Sequence, residues 1–348
     1  MINAHTHLYS GLAPLGMPSP ATPPADFVQI LEMIWWRLDR AIDAASLRAS
    51  ARYYVAHALL SGTTGLIDHH ESPEFVEGSL DVLADACQEL GMRAVLTYGA
   101  TERNGGREEA RRGLAECRRF ITENRRPLIE AVVGLHASFT VSDETIEEAG
   151  SLCRTLDVPL HVHMAEDGAD VADAKQRGYQ GPLERLIQLE ALPRESILAH
   201  GVHLTPDEVA MASGHGAWLV QNPRSNKGNR VGFARHLAEL HRTALGTDGY
   251  PSDLWDEADA LRSEAQLHQM RPAMADVRLA GSEELGCTFF GTISAEDRVA
   301  RVDGRVTEVD VAGKPVVRNG RLTTGSLEEI EADARTEAAR LWERMRAL

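Results

Sequence analysis

Read for the order of apolar and polar positions, the chain falls into short apolar runs separated by longer amphipathic stretches. The runs MINAH (1–5), TTGLIDHH (63–70), MRAVLTYGA (92–100), IEAVVGLHAS (129–138), VPLHVHMAE (158–166), SILAHGV (196–202), AWLVQNP (217–223) and TALGTD (243–248) are strand-like. They are almost continuously apolar, the pattern of strands covered on both faces. Between them apolar residues recur at helical spacing, as over Phe75 to Leu90, Glu108 to Thr122, Asp143 to Leu156 and Pro206 to Ser213. Eight strands alternating with helices predict an α/β fold of the (β/α)8 TIM-barrel kind. The stretch from Asp26 to Leu60 exceeds what one crossover needs and predicts a two-helix excursion, a lid or one wall of a pocket.

The pattern changes near the C-terminus. Residues 304–323 hold short β-type runs punctuated by Ala312-Gly313 and Asn319-Gly320, both turn dipeptides. A helix from Leu327 to about Leu348 follows. Two units are expected, a barrel over 1–295 and a reduced β element with its C-terminal helix over 296–348.

A net charge of −16 argues against a nucleic-acid surface and against anionic membranes. The cysteines Cys87, Cys117, Cys153 and Cys287 lie far apart without a CxxC pair and read as reduced thiols. No apolar run is long enough to span a bilayer, and no basic-then-apolar leader opens the chain. A cytoplasmic location is expected.

Chemistry collects at the ends of the strand-like runs. The first ends in His5 and His7, whose i, i+2 spacing turns both imidazoles to one face. The fifth ends in His161, His163 and Glu166, the sixth reaches His200, and the eighth reaches Asp248. In a (β/α)8 barrel these ends share one rim, where active sites sit. Imidazole with carboxylate ligation suits Zn2+ or Fe2+ with a position left open for water. An isolated HxH is usually incidental; four such groups at strand ends of one barrel pattern are not.

NAHTH, GLHAS, HVHMAE, LAHGVHL and LGTDG together resemble the amidohydrolase superfamily, in its cytosine deaminase, chlorohydrolase and adenosine deaminase branch. WWRLDRA, TTGLIDHH, GLHASFTVSDET, NPRSN and GTDGYPSD are similar to the SsnA-like aminohydrolases. The resemblance implies that His5, His7, His163 and Asp248 ligate one divalent metal, Zn2+ ahead of Fe2+ or Mn2+. It implies Glu166 as proton shuttle, His200 as the group holding the attacking water or oxyanion, and His136 as a substrate contact. Two-metal members of the superfamily usually bridge their ions through a carboxylated lysine or a glutamate on the fourth strand. Lys175, Lys227 and Lys314 are the only lysines, and none lies near that strand, so one catalytic metal is expected.

Three further residues are candidates for touching the substrate. Trp36, beside Trp35, offers a face for a planar ring, although two aromatics in an amphipathic helix are more often packing. His70 closes the second strand, and Arg224 in NPRSNKGNR (222–230) could meet a carbonyl or carboxylate, against a bland reading as a turn-rich loop. The superfamily usually carries more chain before the HxH pair, so the first strand has few residues to seat it. Metal coordination by His5 and His7 is expected to anchor that end. The leftover edge strands of 304–323 are expected to pair with a second copy, giving a homodimer. The expected activity is deamination of a small nitrogen heterocycle, a purine, pterin or pyrimidine derivative, by metal-activated hydroxide. The alternatives are hydrolysis of another C–N or C–Cl bond, with a ring amide, alkylamine or chloride leaving, or a catalytically silent metal-binding subunit.

Overall fold

The computed structural model describes residues 1–238, 240–292 and 296–348. Ten parallel segments build the barrel: β1 (Ile2–Thr6), β2 (Gly65–Asp68), β3 (Arg93–Leu96), β4 (Gly99–Ala100), β5 (Ile129–Ala131), β6 (Val133–Ala137), β7 (Leu160–Met164), β8 (Ile197–His200), β9 (Trp218–Gln221) and β10 (Thr243–Leu245). β3 with β4, and β5 with β6, are halves of single barrel positions, so ten segments make the eight expected strands. One half of the ring runs β1-β2-β3-β5 and the other β10-β9-β8-β7-β6-β4. The ring closes where the backbone N–H groups of Thr247 and Asp248 both donate to the His5 carbonyl, at 2.9 and 3.0 Å. The (β/α)8 architecture expected from the apolar pattern is the one observed.

The interior is packed with side chains from all round the ring. Ile2, Ala4, Ile67, Val95, Ile197, Trp218, Val220 and Ala244 form one buried cluster with Val132 and with Leu285 of the helix Met274–Phe290. β1 is seated by more than its ladder. Asn3 Nδ2 donates to Thr247 Oγ1 at 2.7 Å and to Ser252 Oγ at 3.0 Å. The Tyr54 hydroxyl, from the helix Ala44–Leu60, meets Thr247 Oγ1 at 2.9 Å and the Tyr250 carbonyl at 2.9 Å. Protein hydrogen bonds thus hold the end that metal coordination is expected to anchor.

The long excursion from Asp26 is a wall of the pocket. It begins with the helix Phe27–Ile30 capped by Asp26, passes through a π-helical turn at Leu31–Trp35 and continues as Trp36–Ala41. A π turn re-aims side chains by about one position and is frequent at functional sites.

Beyond the barrel, β11 (Arg298–Val302), β12 (Arg305–Val311), β13 (Lys314–Arg318) and β14 (Arg321–Leu322) form an antiparallel sheet in that order. Its hairpins turn on Asp303-Gly304, Ala312-Gly313 and Asn319-Gly320, all at positive φ, the two-residue turn that matches strand twist. The helix Leu327–Ala347 follows. Val309, Val316, Val317, Ile330, Leu341 and Trp342 share one buried cluster with Leu47, Val55, Leu80 and Leu83 of the barrel's helices. The expected division after residue 295 falls at 293–295, outside the described residues.

Candidate functional site

The C-terminal ends of four barrel positions bring the expected donors together. His5 lies in β1 and His7 one residue beyond it, with ring centroids 5.0 Å apart. Asp248, three residues past β10, faces both, with Oδ1 2.7 Å from His7 Nε2 and 3.3 Å from His5 Nε2. His163, in β7, places Nε2 3.2 Å from His7 Nε2. His200 closes β8, and its Nε2 lies 3.4 Å from Glu166 Oε2. Ligating atoms of His5, His163, His200 and Asp248 all fall within 4.8 Å of one another. His200 Nε2 is buried without a hydrogen-bond partner among the described residues. Three imidazoles and a carboxylate gathered in this way fit a divalent cation, and His7, with Nε2 2.7 Å from Asp248 Oδ1 and 3.2 Å from His163 Nε2, borders that set and can replace His200 in it.

A surrounding layer fixes how each ring points. His163 Nδ1 lies 2.7 Å from the His136 carbonyl, and His7 Nδ1 meets the His69 carbonyl. Both carbonyls can only accept, so each Nδ1 carries a proton and Nε2 is presented to the centre. His5 is held differently, its Nδ1 2.9 Å from His161 Nε2. His161, one pleat below His163, therefore supports a ring of the central group. The Ser225 hydroxyl donates to Asp248 Oδ2, which leaves Oδ1 for the centre. Asn226 Oδ1 lies 2.8 Å from His200 Nδ1, and Asn229 Nδ2 donates to Glu166 Oε1 at 3.3 Å.

Charge is unevenly spread. Burial lowers the His5 pKa to about 3, with the Asp248 hydrogen bond offsetting only part of that. Burial acts on His7 too, but its hydrogen bond and charge contact with Asp248 prevail and push it up to about 10. Burial alone would raise Asp248; its hydrogen bonds from His5 and His7 hold it well below the usual carboxylate range. A proton on His7 thus stands where a cation's charge would be. Glu166 goes the other way, lifted by burial to about 7 with His200 opposing.

The backbone is strained at the same places. His200 at φ 76°, Asp248 at φ 53° and Ala165 at φ 47°, between His163 and Glu166, lie in the left-handed region. Each such residue costs about 1–3 kcal/mol unless its surroundings enforce it, and such residues cluster at active sites.

Part of this group lines a cleft. His7, His163, Glu166 and Asp248 form one wall region, and Phe27, Leu31, Trp35, Trp36 and Phe139 supply much of the apolar remainder. His136 lines it with Nδ1 3.0 Å from Thr140 Oγ1, and Trp36 lines it 6.3 Å from the His136 ring.

Two expected substrate contacts are turned away. NPRSNKGNR is not a loop but opens with the helix Pro223–Gly228. Arg224 on it pairs with Glu257 and donates to the Pro251 carbonyl at 2.7 Å, while Ser225 and Asn226 face the site. His70 is fully buried, its Nε2 2.8 Å from Ser72 Oγ, outside the cleft's lining. Sequence reasoning missed Glu71 and Asp39, both in the cleft wall. The only hint of Glu71 was its place directly after His69-His70.

The protein is 29% identical to a 5′-deoxyadenosine deaminase of Methanopyrus kandleri, over 95% of this chain and 83% of that one. It is 27% identical to a 5-methylthioadenosine/S-adenosylhomocysteine deaminase of Thermococcus sibiricus, over 80% of this chain but only 65% of the relative's length. An adenosine deaminase of Xanthomonas campestris, solved with bound zinc, shares the fold with a TM-score of 0.79 at 23% identity, covering 100% of this chain and 85% of that one. The Amidohydrolase family model matches residues 1–285. With the barrel, the rim of histidines and this match in hand, the chain belongs to the amidohydrolase family.

Proposed function

We propose that the protein is a metal-dependent aminohydrolase that removes ammonia from a small nitrogen heterocycle, a purine, pterin or pyrimidine derivative. The observation that carries this reading is the meeting of His5, His7, His163 and Asp248 beside a buried Glu166–His200 pair. Those four residues would hold one divalent cation, zinc by analogy with the zinc-bound structural neighbour. When bound, the cation acidifies water so that hydroxide is available near pH 7.

The protein's own groups then divide the work. Glu166, lifted by burial to about 7, accepts the proton of the attacking water. It returns that proton to the departing nitrogen, which leaves badly as an anion. His200, oriented by Asn226, stabilises negative charge on the oxygen as the ring carbon becomes tetrahedral. His136 polarises the ring nitrogen beside that carbon, and Trp36 packs on the ring plane. The deaminase names of the two relatives support an aminohydrolase, and the aromatic side chains of the cleft support a flat ring.

The partners are this substrate and a second copy of the chain, the latter supported by the open edges of β11 and β14. Among the described residues no helix is long and apolar enough to cross a membrane. Ammonia release by the zinc-loaded protein from a panel of aminopurines, pterins and aminopyrimidines tests the reading. At least one ring should be deaminated, and silence across the panel would contradict it. Light scattering tests the second copy, which a clean monomer would refute.

A further inference from the structure

Glu71, 2% exposed, lines the cleft but takes no part in moving the proton. Its Oε1 lies 2.8 Å from His69 Nδ1. His69 Nε2 lies 3.0 Å from the Leu135 carbonyl, which can only accept, so Nε2 carries a hydrogen. Oε1 of Glu71 is buried against the His69 ring. The other oxygen, Oε2, is 4.0 Å from His7 Nδ1, beyond hydrogen-bond reach, and receives no hydrogen bond among the described residues. A carboxylate oxygen that lines the cleft without a donor can take one from a ligand.

Two neighbours sharpen the reading. A ring nitrogen of His136 and a carboxylate oxygen of Glu71 lie within 4.8 Å of each other, which suits adjacent polar atoms on one ring edge. The cleft wall includes Asp39, Glu71, Glu166, Asp167, Asp170 and Asp248, with no lysine or arginine among its described residues. Arg103 pairs with Asp39 at 2.8 Å and stacks 4.9 Å from the Trp36 ring, but it is not in the wall. A phosphate or carboxylate on the substrate would meet like charge at low dielectric.

We propose that Glu71 is a specificity determinant that accepts an N–H from the substrate ring, so that the site takes neutral or cationic heterocycles with a free ring N–H and rejects their ring-N-methylated and anionic counterparts. This rests on the aminohydrolase reading of the same cleft and narrows its substrate class. It is tested by binding rather than turnover, so the two fail separately. Absence of ammonia release would count against the deaminase reading without touching the binding result.

The probes are hypoxanthine and uracil, their singly ring-N-methylated derivatives, and orotate as the anionic partner of uracil. Calorimetry uses the zinc-loaded protein. Hypoxanthine or uracil should bind at least about tenfold more tightly than one of its methylated forms, the scale of a hydrogen bond to a charged group. Orotate should bind at least about tenfold more weakly than uracil. Glu71→Ala removes the acceptor and makes room, so the methylation gap should close to under about threefold with zinc retained. Glu71→Gln serves if the alanine variant does not fold. Equal wild-type affinities, a gap that survives Glu71→Ala, orotate as tight as uracil, or no binding of either parent ring at millimolar concentration would each overturn the proposal. Uniform weakening with loss of zinc would assign Glu71 to holding His69 and overturn it as well.

Discussion

Glu166→Gln removes one proton acceptor and changes little else. Gln keeps the length of the side chain and can still accept from Asn229, whose Nδ2 lies 3.3 Å from Oε1. Proton transfer by a positioned side chain is worth about 10²–10⁴ in rate, or roughly 3–5 kcal/mol of barrier. The upper part of that range is expected here, because burial lifts Glu166 to about 7, matched to neutral pH. The same shift fixes the pH profile. The base must be ionised, so wild-type kcat/KM should fall by about tenfold per pH unit below pH 7 and level off above it. Ammonia release between about pH 5.5 and 9, with zinc quantified in the same samples, reads both effects. The variant should keep its zinc, lose at least about 1,000-fold in kcat and lose the acid limb. Turnover within about threefold of wild type at full zinc occupancy would refute the proton-shuttle role.

Other consequences follow from the same structure. His7 is raised to about 10 in the metal-free protein, above its unfolded value. The stability it contributes is therefore complete below about pH 6.5 and lost as pH rises toward 10. Zinc must displace that proton, so calorimetry in buffers of different ionisation enthalpy should count about one proton released at pH 7; none released would show that His7 is not a ligand. Asn226→Ala frees the His200 ring, and kcat should drop by about 10–100-fold with zinc content unchanged. Unaltered kcat would remove Asn226 from the account. Tyr54→Phe strips the hydroxyl that ties Thr247 and Tyr250 to the helix Ala44–Leu60 and should cost about 1–3 kcal/mol in chemical denaturation. A Cβ on Gly281 would lie 2.0 Å from the Thr243 carbonyl of β10, so Gly281→Ala should cost about 1–3 kcal/mol. A thermal midpoint equal to wild type would show that the helix backs off freely.

The barrel was legible because a parallel strand buried on both faces is written as a continuous apolar run, and each of the eight runs overlaps an observed strand. His5, His7, His163, His200 and Asp248 could be found because strand ends converge on one rim whatever their distance in sequence. Splitting of two barrel positions at Thr97-Tyr98 and Val132 was not visible, since local apolar character does not register a break in pairing. β11 escaped notice because RVARV is exposed along most of its length and gains its ladder only from β12. Arg224 misled for a related reason. Its helix has a period that sends Ser225 and Asn229 to the site and Arg224 to Glu257, and a short turn-rich stretch hides that period. Glu71 is invisible to spacing rules because its place beside His136, carried by β6, appears only in the fold.

The account stands or falls on where a cation sits. Anomalous diffraction at the zinc edge from zinc-loaded crystals should give one peak per chain, within coordination distance of His5 Nε2, His7 Nε2, His163 Nε2 and Asp248 Oδ1. A peak at Glu71 and His136 instead, or no peak between β1, β7 and the residues after β10 at full zinc occupancy, would contradict it.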